Sequence, residues 1–282
     1  SRAVELLYDW YEFAVTNYGK GDELERFIDK WLASVLHRTL ERVEKEYEAL
    51  NTKNVLVEGF FNLQNALKWY LRRRGGTPNR ELLKEFIEVQ TLILAPITPH
   101  IAEEIWEKLG KPTLISLERW PKPDKGRIDD TVEKMEEIVR RVAADLEEVL
   151  RVARRPGQEL AIILAVPSRW KYEFLERVSG KVKHSKVDLA TAIREALREM
   201  PREYRDKASR LVDTIVKNPE IINLVLDPET ESAVLRDAEK FLEDTLGCAI
   251  EISREEDIVE RYPRASLALP ARPAIIVLPG QK

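Results

Sequence analysis

Clusters of basic side chains beside aromatic ones are the features of this sequence best suited to bind another molecule. The first cluster ends a predicted helix and runs into Gly75-Gly76; its basic members are Lys68, Arg72, Arg73 and Arg74, with Trp69 and Tyr70 between them. Positive charge at the C-terminus of a helix also complements the helix dipole. Three successive arginines are more charge than that role needs, which favours contact with the phosphates of an RNA backbone.

Two further basic groups are weaker candidates for phosphate binding. Arg151, Arg154 and Arg155 end a long predicted helix, where capping and solvation are favoured over a phosphate clamp. Lys181, Lys183 and Lys186 lie in a predicted loop that follows Gly180 and contains no acidic residue. That loop is either solvated or meets phosphates as a set of point charges.

The end of the chain is the preferred candidate for specific recognition. The last 22 residues contain no Asp or Glu, and their basic members are Arg261, Arg264, Arg272 and Lys282. The planar guanidinium of arginine suits two-pronged contacts to bases and phosphates. Tyr262, in the same stretch, could stack on an unpaired base.

Other residues that invite a catalytic or metal-binding interpretation do not support one. His100 is near the start of a predicted helix with no nucleophile close to it in sequence, and the three histidines do not have the spacing of metal ligands. Cys248 is the only cysteine, so a disulfide within the chain and a cysteine-rich zinc site are excluded. The carboxylates of residues 255–257 look like a solvated helix start. We therefore predict no catalytic residue and no metal ligand.

The overall composition is that of a globular protein without a general attraction for polyanions. The chain has 282 residues, of which 34% are charged, and its formal net charge is −4. Binding of a nucleic acid would therefore depend on a local basic face. No apolar run approaches the length of a membrane span and no signal peptide precedes the first helix, so the sequence predicts a cytoplasmic protein that does not contact membranes.

The spacing of apolar residues predicts a mainly α fold in two parts. Helical spacing continues from the N-terminus to Arg155, with short connections, which predicts an antiparallel helical bundle over residues 1–156. Helices are expected to begin near Asp22 and near Asp129 or Asp130, and Asn51–Asn54 is expected to be a turn. Beyond Pro156-Gly157 the pattern changes. Strands predicted at 159–166, 249–253 and 274–278 alternate with helices, which indicates a smaller α+β domain with a short sheet over residues 157–282.

One stretch of the bundle also carries a family resemblance. Pro96 ends one predicted helix, Thr98 can cap the next, and Pro99 occupies the first helical position. The sequence Pro-Ile-Thr-Pro-His-Ile-Ala-Glu-Glu-Ile-Trp, residues 96–106, resembles the helix-turn-helix in the anticodon-binding domain of class I aminoacyl-tRNA synthetases for leucine, isoleucine, valine and methionine. Residues 116–124, Ser-Leu-Glu-Arg-Trp-Pro-Lys-Pro-Asp, resemble the Ser…Trp-Pro element that follows in those enzymes.

The second half narrows the resemblance to one branch of that family. The buried strand followed by Trp170-Lys171, and the basic-Ala…Pro…Pro-Ala-Ile pattern of residues 264–276, resemble the C-terminal domain of archaeal and eukaryotic-type leucyl-tRNA synthetases. This resemblance implies a portion that binds leucine tRNA by its long variable arm, beside a catalytic portion of the same synthetase. It implies no DNA and no membrane as partners. The His-Ile-Gly-His-type and Lys-Met-Ser-Lys-Ser-type motifs of the catalytic domain, which handles ATP and magnesium, do not occur in this chain. We therefore expect it to bind no cofactor and to be inactive alone, either as a fragment or as a subunit of a split enzyme.

Two other interpretations fit the sequence. The bundle could come from an isoleucyl- or valyl-type enzyme, which reads the anticodon. Alternatively, the chain could be a helical scaffold that binds protein partners through its acidic faces and its long helix. That scaffold would have no affinity for tRNA and none of the salt dependence that phosphate contacts produce.

Overall fold

The computed structural model of the chain describes residues 2–153 and 159–279, which form a mainly helical fold with one small sheet. The chain divides into two compact units, residues 1–133 and 134–282, and the division falls within a long helix. The predicted fold class, mainly α with one short sheet in the second half, is confirmed, but the second unit is not smaller than the first. The predicted boundary at Pro156-Gly157 lies outside the described residues and stays a prediction.

The first unit is built from helices, most of them joined by short connections, with a longer proline-rich segment over residues 109–129. Its helices, together with the long helix that begins in it, are α1 Arg2–Asn17, α2 Phe27–Glu48, α3 Thr52–Leu56, α4 Leu63–Arg73, α5 Arg80–Leu94, α6 Pro99–Lys108 and α7 Asp130–Ala153. A turn of π-helix, Val57–Asn62, joins α3 to α4. The helix start predicted at Asp129 or Asp130 is confirmed, because Asp129 accepts hydrogen bonds from the amides of Thr131 and Val132, at 2.8 and 3.1 Å.

Burial of one apolar stripe per helix holds this unit together. Helix α2 packs against α4 and α5, and α6 packs against α1 and α5. The Trp10 ring meets Phe86 edge to face, with 6.2 Å between ring centroids, and so joins α1 to α5. The turn between α5 and α6 lies where it was predicted: α6 begins at Pro99, with Thr98 before it and a left-handed Gly110 after it. The Thr98 side chain does not cap α6, because its hydroxyl donates to the carbonyl oxygen of Leu94 at 3.3 Å.

Two predicted boundaries are wrong, the first because of a tertiary contact and the second because of a local helix cap. Helix α2 does not start at Asp22, because the backbone of Asp22 bonds instead to Pro78 and Arg80, with N···O distances of 3.0 and 2.8 Å. The turn predicted over Asn51–Asn54 is helical from Thr52, since the Asn51 side chain accepts the amide hydrogen of Asn54 and caps α3.

Two side chains, the buried His37 and the half-buried Glu103, fasten the proline-rich segment after α6 to the helices. His37 accepts the amide hydrogen of Asp124 at Nδ1 (3.2 Å), and its Nε2 lies 3.2 Å from Glu85. Glu103 accepts the amide hydrogens of Ile115 and Ser116, at 2.9 and 3.2 Å, and these bonds lower the pKa of Glu103 despite the opposing effect of desolvation. The two stretches that carry the family resemblance are thus joined by a side-chain to backbone contact.

The second unit has a three-stranded sheet with helices packed on it. The strands are β1 Leu160–Val166, β2 Ala249–Arg254 and β3 Ala274–Pro279, close to the predicted ranges, and they lie in the order β2-β1-β3. Strand β1 is parallel to β2 and antiparallel to β3, with Ile163 opposite both Glu251 and Ile276. The helices of this unit are α8 Arg169–His184, α9 Leu189–Glu199, α10 Arg202–Arg205, α11 Ser209–Lys217, α12 Pro228–Leu246 and α13 Glu255–Ile258.

The interior of the second unit explains the continuous apolar run of β1. The strand is central in the sheet and buried almost throughout, as parallel strands covered on both faces are. A cluster around Phe174, Leu175 and Val178 of α8 includes apolar residues of α9 and α11. A smaller cluster on the sheet joins Ile163 and Ile276 to Ala265 and Ala268. No helix in the part of the chain that the structure describes is both long and apolar enough to cross a membrane.

Gly59, within the π-turn, offers a test of how tightly the first unit is packed. A Cβ atom on Gly59 would lie 2.6 Å from Ile93 Cγ2 and 3.3 Å from Val43 Cγ2, both in the core. We expect Gly59→Ala to lower the free energy of unfolding by about 2 kcal/mol through overpacking, measured by urea denaturation. The matched control is Gly180→Ala in α8, where a Cβ meets no atom within 4 Å. A Gly59→Ala variant as stable as the control would contradict the packing.

Candidate nucleic-acid interface

Arg74, predicted as a phosphate contact, is buried instead. Its side chain has no exposed surface, forms a short ion pair with Asp22, and places Nε 3.5 Å from Asp29. Asp29 also accepts the hydroxyl hydrogen of Tyr70 (2.7 Å), and Tyr70 Oη accepts the amide hydrogen of Asn79 (2.8 Å). Burial and the Asp29 hydrogen bond raise the pKa of Tyr70 well above its usual range. Arg74 is therefore a structural residue, and its prediction as an RNA contact is corrected.

The remaining members of the first cluster divide between the interior and the surface. Lys68 and Arg72 are exposed, and the Arg72 guanidinium lies 5.6 Å from the centre of the Trp69 ring. Arg73 is buried. Helical spacing carries the signal that separates them: Tyr70 faces the core, and residues three and four positions further on fall on its side of the helix.

Most described members of the two weaker basic groups lie in helices, and Lys186 lies in the connection after α8. Arg151 is exposed in α7 and pairs with Glu148 at 2.6 Å, one turn earlier. Arg154 and Arg155 lie outside the described residues. Residues 181–184 of the predicted loop after Gly180 form the last turn of α8, and Lys181 there pairs with Glu195 and Glu199 of α9, at 3.1 and 2.8 Å. Lys183 and Lys186 are exposed.

The basic segment near the end of the chain presents its charges on a fixed backbone. Arg264 is exposed in a 3₁₀ turn, Pro263–Leu267, and Arg272 is 60% exposed with its Nε 3.2 Å from Asp145. The Arg261 guanidinium lies 5.1 Å from the centre of the Tyr262 ring, and Tyr262 packs partly against the sheet. Of the predicted tail residues, Lys282 lies outside the described part of the chain.

A buried ion pair that the sequence did not reveal holds this basic segment. Lys171 Nζ donates to the carbonyl oxygens of Ser266 and Ala268, at 2.9 and 2.7 Å, and lies 2.9 Å from Glu255. Desolvation lowers the pKa of Lys171, against the raising effect of Glu255. The turn that carries Arg264 is thus tied to the start of α8.

A second buried carboxylate fixes the other side of the segment. Glu231 of α12 accepts the amide hydrogen of Ala271 at 2.9 Å, and Ala271 has a left-handed backbone with φ of 60°. Burial raises the pKa of Glu231 to about 7, although the Ala271 amide acts in the opposite direction. Arg272 therefore follows a residue whose strained conformation is held by a buried acid.

Comparison with known proteins decides the family. Residues 29–162 match the family model described as the anticodon-binding domain of tRNA ligase. These residues belong to the anticodon-binding domain family of tRNA ligases. They include the exposed Lys68 and Arg72 and the buried Arg74, so the basic helix end α4 is part of the matched domain.

Similar proteins cover both units, beyond the anticodon-binding domain. The leucine–tRNA ligase of Aeropyrum pernix is 39% identical over 274 residues, which is 97% of this chain and 28% of that protein. The leucine–tRNA ligase of Pyrococcus horikoshii is 30% identical over 280 residues, or 98% of this chain and 27% of that protein. That of Methanocaldococcus jannaschii is 32% identical over 277 residues, with shares of 97% and 27%. The chain thus spans little more than a quarter of the length of these relatives.

The described part of the chain has no group of side chains suited to hold magnesium. Within residues 2–153 and 159–279, no three His, Cys, Asp or Glu side chains come together in a way that could hold a metal ion. The acidic side chains that are buried, such as Asp29 and Glu231, are engaged with Tyr70, Arg74 and the Ala271 amide.

Replacement of Arg74 tests its structural role. Arg74→Met should lower the free energy of unfolding by roughly 3 kcal/mol, because Asp29 would stay buried without its cationic neighbour. Arg72→Met, two residues earlier on the exposed side of α4, should cost less than about 1 kcal/mol. Urea denaturation of both variants provides the measurement. Equal losses would show that Arg74 is not the residue that fixes the anticodon-binding domain.

The raised pKa of Glu231 predicts how stability depends on pH. Because its pKa is about 7 in the folded protein and near 4.5 in the unfolded chain, the folded state holds the proton more tightly. Its contribution to stability is therefore present below pH 4.5 and lost as the pH rises to 7, by up to roughly 3 kcal/mol. In the Glu231→Gln variant, the free energy of unfolding should no longer fall in this way as the pH rises. Urea denaturation at pH 5 and pH 8 compares the two proteins, and an identical slope in the variant would contradict the assignment.

Proposed function

We propose that this chain is the tRNA-binding portion of a leucine–tRNA ligase. The observation that carries the proposal is the similarity to archaeal leucine–tRNA ligases over 97% of the chain, which includes the second unit as well as the anticodon-binding domain. Because these relatives are leucine–tRNA ligases, they favour a leucyl-type enzyme over the isoleucyl- or valyl-type alternative. The exposed basic residues of both units supply the surface that such a role requires.

The two units would then contribute differently. Lys68 and Arg72 of the first unit would hold phosphates of the tRNA backbone, which sets position without reading sequence. Arg261, Arg264 and Arg272, with Tyr262, would contact the long variable arm of leucine tRNA by its shape and its unpaired bases. The anchoring of their backbone by Lys171 and Glu231 supports this assignment, because a fixed loop loses little conformational freedom on binding.

Bond formation would take place in the catalytic portion of the same synthetase. There the whole enzyme would activate leucine with ATP and magnesium and esterify it to the 3′ end of the tRNA. This chain would position the tRNA in the cytoplasm and contribute no reacting group.

Equilibrium binding of the chain to three transcripts tests the proposal. They are leucine tRNA, the same tRNA with a shortened variable arm, and the same tRNA with a changed anticodon, each at two salt concentrations. At a given salt concentration, we expect the transcript with the shortened arm to bind more weakly than leucine tRNA, and the transcript with the changed anticodon to bind equally well. For every transcript, the affinity should fall as the salt concentration rises. Loss only on changing the anticodon would move the assignment to an isoleucyl- or valyl-type enzyme. No binding at low salt would overturn the proposal.

Paired variants separate the contributions of the two units in the same assay. Arg264→Gln with Arg272→Gln should weaken binding of the long-arm tRNA and spare the shortened one. Lys68→Gln with Arg72→Gln should weaken both alike, and should reduce the slope of log affinity against log salt by about one for each phosphate that is no longer neutralised. Equal weakening of both transcripts by the Arg264/Arg272 variant would remove the specificity assigned to that segment.

A further inference from the structure

The outward face of the π-turn and α4 carries residues to which the proposed function gives no role. Phe61 and Asn65 are exposed and precede the exposed Lys68 and Arg72 at intervals of four, three and four residues. Such spacing places all four side chains on one face of the helix. From Gly59 to Arg80 the chain has no Asp or Glu, although it contains 50 of them overall. The preceding carboxylate, Glu58, pairs with Arg42 at 3.7 Å.

Phe61 is held outward by packing beneath it. Its side chain is 38% exposed, whereas the neighbouring Phe60 is buried and meets it edge to face, with 5.3 Å between ring centroids. Gly59 presses against Ile93 so closely that no side chain fits there. The exposed ring therefore sits on an anchored backbone and keeps little freedom to lose on binding.

The irregular backbone beneath Phe61 is maintained by a dedicated buried amide. Gln90 is fully buried, and its side chain donates to the carbonyl oxygens of Gly59 and Phe60, at 3.1 and 3.4 Å. Its own oxygen accepts a hydrogen from Gln64 at 2.6 Å. A π-turn is rare in helices and is frequently found at functional sites. Here it supports the one large apolar side chain of the basic face.

We infer that this face binds an unpaired nucleotide of RNA. The base would stack on the Phe61 ring, the Asn65 amide would hydrogen-bond to its edge, and Lys68 and Arg72 would take the adjoining phosphates. Phe61 and Lys68 are separated by about 10 Å along the helix axis, so that a base on the ring and a phosphate beside it can be contacted together. The acid-free stretch favours a polyanion over a protein partner. The inference rests on the proposed function for its ligand, a tRNA.

The test uses the 282-residue chain and a fluorescently labelled leucine tRNA transcript, with dissociation constants measured over a range of salt concentrations. Phe61→Leu keeps an apolar side chain at this position but has no aromatic ring. We expect it to weaken binding between about 5- and 100-fold. The slope of log affinity against log salt should not change, because no charge is removed. Phe61→Tyr keeps the ring and should bind within about twofold of the wild type. Leu117→Ala, which removes a 74% exposed leucine outside this face, is the matched control and should have no effect.

A second variant leaves the packing around Phe61 untouched. Asn65→Asp adds a negative charge to the exposed face, and should weaken binding with an unchanged midpoint of thermal unfolding. If Phe61→Leu binds like the wild type, or if Phe61→Tyr is as weak as Phe61→Leu, stacking on this ring is overturned while the proposed function stands. If the wild-type chain binds no tRNA, both fail together.

Discussion

The arrangement of the first unit depends on one buried cation. Arg74 lies at the end of α4 and contacts Asp22, which precedes α2, and Asp29, in the first turn of that helix. A charge without exposed surface is costly unless it is paired, so these chain segments hold together as a group. The Tyr70 hydroxyl and the Asn79 amide extend the same network to the start of α5. The direction in which α4 presents Lys68 follows from that network, and so does that of Phe61 in the π-turn before it.

Short-range patterns predicted most of the elements, and interactions between distant residues account for what was missed. The apolar run of β1 and the Thr98-Pro99 helix start are determined by nearby residues, so the sequence located them. Asp22 has the local pattern of a helix cap, yet its partner Arg74 is 52 residues away. Lys171 and Glu231 show no sign in sequence that they hold the segment around residues 266–271. Basic clusters could be found from composition, but separating Arg72 from Arg74 also requires their helical spacing from the buried Tyr70.

Both candidate surfaces combine exposed cations with buried polar anchors. Beneath Phe61 the anchor is the Gln90 amide, and beneath the segment that carries Arg264 and Arg272 it is a set of buried charges. In each case the backbone is fixed before any ligand arrives. Preorganisation of this kind raises affinity by lowering the entropic cost of binding, which suits recognition of a large, fairly rigid polynucleotide.

The order of strands in the sheet affects how the second unit folds during translation. Strand β1 is the central strand and the most apolar, yet both of its partners, β2 and β3, are translated long after it. Until they emerge from the ribosome, β1 has two unsatisfied edges and is prone to pair with other chains. The sheet therefore closes late and through contacts distant in sequence, which makes its folding slow compared with the locally connected helices of the first unit.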